Sequence, residues 1–172
     1  MSQAANFRFI VSHPSHFVAF GIGSGLSPFA PGTAGTLAAW VSFWFIKPYY
    51  TDNEFLVLCA LAFVLGVWAC GRTGRDLGIA DYGGMVWDEI VAFWLVLLLI
   101  PDDIIWQAAG FVLFRFFDIL KPQPIRYFDA RLKGGFGVMF DDIVAAFFAL
   151  LVLALAKFVL LRTGTPAWLP ML

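Results

Sequence analysis

Histidine, cysteine and charge are all scarce in this chain of 172 residues, which carries two histidines, two cysteines and only 13% Asp, Glu, Lys and Arg together. Soluble domains average about 25% charged residues, so there is too little polar material here to cover a water-facing surface. His13 and His16 sit together near the start and Cys59 and Cys70 in or beside an apolar stretch. That excludes a disulfide scaffold and a soft-ligand zinc site, and the thiols read as packing residues. No basic excess exists, with 11 Lys and Arg against 12 Asp and Glu, so nothing in the charge balance points to nucleic acid as a partner. Met1 to Ser12 lacks the apolar core and small-residue cleavage site of a signal peptide.

What is abundant is apolar surface: 61% hydrophobic residues, 18% aromatic, and a mean hydropathy of +0.84. The composition implies an integral membrane protein of one domain. Apolar runs recur at Ala34 to Ile46, Phe55 to Cys70, Val86 to Ile100, Ile104 to Leu120 and Ile143 to Leu161. About 20 helical residues cross a ~30 Å hydrocarbon core, with about 17 a practical minimum. With a few flanking residues, each run makes a short spanning helix, and an all-α, polytopic fold of about five spans is expected. Breakers separate them: Lys47-Pro48, Gly71 to Gly84, Pro101-Asp102-Asp103, and Lys121-Pro122-Gln123-Pro124 on to Gly137. Phe17 to Gly35, apolar but interrupted by glycine, Pro28 and Pro31, reads as a short helix or a re-entrant or interfacial segment.

Alternating helix direction puts Arg8, Arg72, Arg75, Lys121, Arg126, Arg131 and Lys133 on one side, against Lys47, Lys157 and Arg162 on the other. The positive-inside rule makes the first side cytoplasmic. On that side, five acids also crowd the helix ends: Asp88, Glu89, Asp118, Asp141 and Asp142. Acids in a first helical turn favour the macrodipole, which offers a bland account of Asp88, Glu89, Asp141 and Asp142. Asp118, at a C-terminal end, could pair with Arg115 or Lys121 instead. A group this dense repels itself unless a cation lies within it. Hard oxygen donors suit Mg²⁺ or Mn²⁺, whose remaining positions accept phosphate oxygens. Arg115, Lys121, Arg126 and Arg72 at the same level are available for the rest of an anionic substrate, although cytoplasmic basic residues also serve as topological anchors.

Gly23 to Thr36, GSGLSPFAPGTAGT, offers backbone N–H groups before a helix and the hydroxyls of Ser24, Ser27, Thr33 and Thr36 as further substrate contacts. It lacks the lysine of a nucleotide-binding P-loop. Other phosphate chemistries are missing their residues. Six positions after Cys70 stands Asp76, not arginine, and no D-x-D-x-[TV], PSGH or D-x2-D-G-x2-A-R run occurs.

Four blocks, GSGLSPFAPGTAGT (Gly23 to Thr36), DYGGMVWDEIV (Asp81 to Val91), FRFFDILKPQPI (Phe114 to Ile125) and GGFGVMFDDIVA (Gly134 to Ala145), carry a resemblance. Together they resemble the phosphatidylglycerophosphatase A family of bacterial membrane phosphatases. The resemblance implies an all-helical fold, Mg²⁺ dependence and removal of the terminal phosphate of phosphatidylglycerophosphate at the cytoplasmic (inner) membrane. It assigns no individual roles. From the residues themselves, Asp88, Glu89, Asp118, Asp141 and Asp142 are expected to hold one or two Mg²⁺ ions. Glu89 would take a proton from the attacking water, and Arg115 and Lys121 would balance phosphoryl charge. A covalent aspartyl-phosphate is the other route. The rival class is a small transporter or cation-conducting protein, which requires acids spread through the membrane depth and repeated broken helices. A third is a non-catalytic subunit packing around a partner.

Overall fold

The computed structural model describes residues 6–123, 126–127 and 131–163, and among them every regular element is helical. Two short helices come first, α1 (Phe7–Val11) and α2 (Pro14–Ala19), each opened by its own cap. Asn6 Oδ1 accepts from Phe9 N at 3.0 Å and His13 Nδ1 from Ser15 N at 3.1 Å. A tight turn of 3₁₀ type, Gly21–Leu26, leads to α3 (Pro31–Ile46), so the stretch from Phe17 to Gly35 is broken as expected rather than one continuous helix. A second 3₁₀ turn at Lys47–Tyr49 precedes α4 (Asp52–Leu77). The chain then forms α5 (Trp87–Leu99), α6 (Ile104–Leu120) and α7 (Gly134–Thr163).

Four of the five apolar runs fall inside α3, α4, α6 and α7, and Val86 to Ile100 overhangs α5 by one residue at each end, but two other boundaries differ from expectation. α4 continues through Gly71 and Gly74, which the sequence suggests as breakers, to Leu77. It stops only at a Schellman-type end, where Gly78 N donates to Arg75 O and Ile79 N to Gly74 O. α7 begins at Gly134, nine residues before its apolar run. In both places a glycine-rich segment stays helical because the helices touch there: a Cβ on Gly71 would lie 3.3 Å from Gly135 N. Small residues let backbones approach, and that contact outweighs the weak helix propensity of glycine.

α5 is the hub. It is apolar nearly all round and buries Ile90, Val91, Ala92, Phe93, Trp94, Val96 and Leu97, with α3, α4, α6 and α7 packed about it. Indole donors tie the helices together. Trp94 Nε1 reaches Ala39 O at 3.1 Å and Trp87 Nε1 reaches Ala62 O at 2.9 Å, while Trp40 and Trp44 share Gln107 Oε1 at 2.7 and 3.0 Å. The aromatic positions on α3 and α6 are packing residues in part: Phe43 and Phe114 are buried, and Trp40 stacks on Phe111. Cys59 and Cys70 are likewise buried.

Two helices, Asp52–Leu77 and Gly134–Arg162, are long and apolar enough to cross a membrane. Their outward faces stay uncovered: Leu56, Val57, Leu61 and Val64 on α4, and Leu151, Leu155, Phe158 and Val159 on α7. An apolar surface of that extent is what lipid covers. α3, α5 and α6, of 16, 13 and 17 residues, measure about 24, 20 and 26 Å.

Candidate active site

The starts of α3, α5 and α7 and the end of α6 come together at one end of the helices, around a cavity of about 490 Å³. α5 supplies Asp88 and Glu89 from its first turn, where the dipole favours negative charge. Asp141 and Asp142 lie about two turns inside α7, and no acid occupies its first turn. The dipole account therefore fails for them. Both are almost completely buried, at 4% and 3% exposure, and Asp88 nearly so at 7%.

The five acids expected to act together all line the cavity, in two arrangements. Oxygens of Asp88, Glu89 and Asp142 lie within 4.8 Å of one another. Asp118 and Asp141 are instead ion-paired: Asp118 Oδ2 is 2.6 Å from Arg115 Nη1, and Asp141 Oδ2 pairs with Lys121 Nζ. Arg115 Nη1 also lies 3.5 Å from Glu89 Oε1, so the guanidinium links Asp118 on α6 to the carboxylate cluster. Lys121 ends α6 in a left-handed conformation (φ 41), a costly one for a side-chain-bearing residue, and with that turn it lines the cavity.

The residues proposed to touch substrate divide as well. Thr33, Arg115 and Lys121 line the cavity. Thr36 does not: it is wholly buried, donating to Gly32 O at 2.8 Å and accepting from Arg115 Nη1 at 3.4 Å. It supports the arginine rather than facing a ligand. Ser24 and Ser27 spend their hydroxyls on local carbonyls, Gly21 O and Phe29 O, and are not among the cavity residues. A glycine-rich loop needs such side-chain bonds to hold its turns. Arg126 is exposed and outside the lining. Arg72 is also elsewhere, bonded through Nε to Asp76 Oδ2 at 2.8 Å, an oxygen that His16 Nε2 shares at 3.0 Å.

Two features escaped the sequence reading. Asp81, from the loop between α4 and α5, also lines the cavity. It lies in the DYGG run seven residues before Asp88, where an acid beside two glycines reads as an ordinary turn. Gly32 is the other: a Cβ there would collide with Glu89 Oε1 and come within 2.8 Å of Arg115 Nη2. At Gly32 a side chain would displace the Glu89 carboxylate and the Arg115 guanidinium from their present places.

Six carboxylates (Asp81, Asp88, Glu89, Asp118, Asp141 and Asp142) thus share the lining with two cationic side chains, Arg115 and Lys121. Glu89 Oε2 and Asp142 Oδ2 are buried and accept no hydrogen bond from the protein, and Arg115 Nε likewise has no acceptor. Buried polar atoms left this way call for a partner such as an ion or an ordered water. An all-oxygen donor set with uncompensated negative charge fits a hard divalent cation.

Fold and site together define a helical, membrane-associated protein with an acid-walled cavity that could hold a cation at one end of its helices. The phosphatidylglycerophosphatase A family matches residues 17–157, and the chain belongs to that family. It is therefore an enzyme, a phosphoric monoester hydrolase of phosphatidylglycerol synthesis. It is 44% identical to phosphatidylglycerophosphatase A of Escherichia coli over 144 residues, covering 83% of each chain. With phosphatidylglycerophosphatase A of Haemophilus influenzae it shares 48% over 142 residues, 81% of this chain and 86% of that one. A Bacteroides thetaiotaomicron protein, named "Putative phosphatidylinositol-3-phosphatase", is 40% identical over 150 residues, 81% of this chain and 91% of its own. No solved structure matches the chain. The acids gather at one end of the helices, so the conduction path required of a transporter has no support.

Proposed function

We propose that the chain hydrolyses the terminal phosphomonoester of phosphatidylglycerophosphate, giving phosphatidylglycerol and inorganic phosphate, at the cytoplasmic face of the bacterial inner membrane. The observation that carries this reading is the meeting of Asp88, Glu89 and Asp142, two of them with a buried oxygen lacking any protein donor, beside Arg115 and Lys121 in one cavity. Asp88, Glu89 and Asp142 are the residues to hold Mg²⁺. When bound there, Mg²⁺ supplies Lewis-acid polarisation of the phosphoryl oxygens and activation of water.

The chain's own groups do the rest. Arg115 and Lys121 receive the phosphoryl oxygens, and Arg115 Nε has no competing acceptor. Asp118 and Asp141 hold those two cations in place and offset their charge before substrate arrives. Glu89, the acid at the centre with a free buried oxygen, accepts the proton of the attacking water. Five helices, α3 to α7, cross the bilayer, the shorter ones completed by their flanking turns. The basic excess at the cavity end marks the cytoplasmic side.

The test is phosphate release from phosphatidylglycerophosphate by purified protein, with Mg²⁺ and with EDTA, for wild type, Asp88→Asn and Asp118→Asn. Release that needs the divalent ion and collapses in both variants is expected. No release by wild type, or full release by both variants, overturns the reading.

A further inference from the structure

The exposed residues of the cavity lining are not all polar. Asp81 and Gly83 come from the loop between α4 and α5, whereas Ala30 and Ile119 come from the start of α3 and the end of α6. Ile119 is 65% exposed while lining a cavity that also holds six carboxylates. Phe29, next to Ala30, is 84% exposed. A polar, acid-walled cavity that opens across an apolar lip is matched to an amphipathic ligand and serves no purpose for a wholly water-soluble one.

The backbone presents this lip at a cost. Ala30 adopts a left-handed conformation (φ 44) as the residue before Pro31, and Phe29 beside it stands outside the packed core. Below the lip, α3 and α6 reach each other through side chains, Arg115 to Thr36 at the cavity and Trp40 on Phe111 deeper down. Ala30 and Ile119, both exposed, thus stand on the cavity lining where α3 begins and α6 ends.

Resting on the phosphatase reading above, we propose that Phe29, Ala30 and Ile119 form the lateral portal of the site, over which the acyl chains of the lipid substrate pass into the bilayer while its terminal phosphate sits among Arg115, Lys121 and the acids. The ligand class is a diacyl phospholipid bearing a terminal phosphomonoester. The portal selects against soluble phosphate esters by offering their polar remainder an apolar exit.

Two measurements on the full chain test this. In nanodiscs with Mg²⁺ present, a non-hydrolysable phosphonate analogue of a phospholipid with a terminal phosphomonoester, carrying a diazirine in one acyl chain, should label Phe29 and Ile119 peptides. The same tails under a choline headgroup should label them several-fold less, and both lipids should label the Leu155 region of α7 equally. Equal labelling by the two lipids at the lip overturns the portal, whatever the enzyme hydrolyses. In detergent micelles, Phe29→Ser with Ile119→Ser should raise KM for the long-chain lipid roughly tenfold and leave a short-chain analogue within about twofold. Leu155→Ser should change neither. Equal loss on long and short chains, or no loss, also overturns it, whereas absence of phosphate release from both lipids by wild type counts against the phosphatase reading alone.

Discussion

At Asp142 the chain buries a carboxylate oxygen that no protein donor meets, inside a helix and beyond the reach of its dipole. Leaving such a group uncompensated costs several kcal/mol, which is the physical ground for the cation site proposed above. Asp142→Asn should lower phosphate release at least ~100-fold and weaken Mn²⁺ binding measured by calorimetry, with the helical content by circular dichroism unchanged. A variant that loses activity while binding Mn²⁺ as wild type does would remove Asp142 from the cation site. Thr36 acts through Arg115. Thr36→Val removes the side-chain donor to Gly32 O and leaves Arg115 Nη1 without that oxygen, and should cut kcat roughly tenfold, whereas Thr36→Ser should restore most of it. Equal loss in both variants would mean that packing of the methyl group, not the hydroxyl, matters. Neither Thr36's role nor that of Asp81 was legible in the sequence. Which side of a helix a hydroxyl faces depends on a partner 79 positions away in the chain, Arg115, and which loop folds over a cavity depends on helices distant in sequence.

Helix ends decide where the charged groups meet. α4 starts with a reciprocal cap in which Thr51 Oγ1 accepts from Glu54 N and Glu54 Oε2 accepts from Thr51 N at 2.8 Å. Thr51→Ala should cost about 1 kcal/mol in thermal unfolding and leave activity intact, because the cap is at the end of α4 remote from the cavity. The other end of the same helix is less forgiving. A Cβ on Gly135 would collide with Val67 O and lie 2.6 Å from Gly71 N, backbone that cannot turn aside. Gly135→Ala should therefore destabilise by about 1–3 kcal/mol and also reduce activity, since the shift moves Asp141 and Asp142 on α7. Normal kcat with a lowered Tm would show that the acids hold their places independently of the α4–α7 crossing. Hydropathy made these elements readable from the chain, while the glycine-rich segments misled because propensity argues for a break where interhelical contact keeps the helix.

For the molecule as a whole, orientation is the property with a direct measurement. Cys59 and Cys70 are buried, so an impermeant maleimide will report added cysteines. In intact spheroplasts, Asp102→Cys should be labelled and Lys133→Cys should not, until the membrane is opened. The reverse pattern would place the cavity on the outer side and separate it from the cytoplasmic lipid pool. The helices also run alternately, so three of them begin at the cavity and α6 ends there. This lets acids far apart in sequence face one another at a shared height.

Composition and periodicity alone determined that this is an apolar helical protein, where its five long apolar segments lie, and that its acids cluster toward common helix ends. Those properties follow from local hydropathy and from the alternation of chain direction, and need no knowledge of neighbours. Only the tertiary structure sorted the acids into three that converge and two that hold Arg115 and Lys121, withdrew Ser24, Ser27, Arg72 and Arg126 from the cavity, and added Asp81. Distances of a few ångströms between side chains on different helices depend on rotation and crossing of those helices, which packing sets and no single segment encodes.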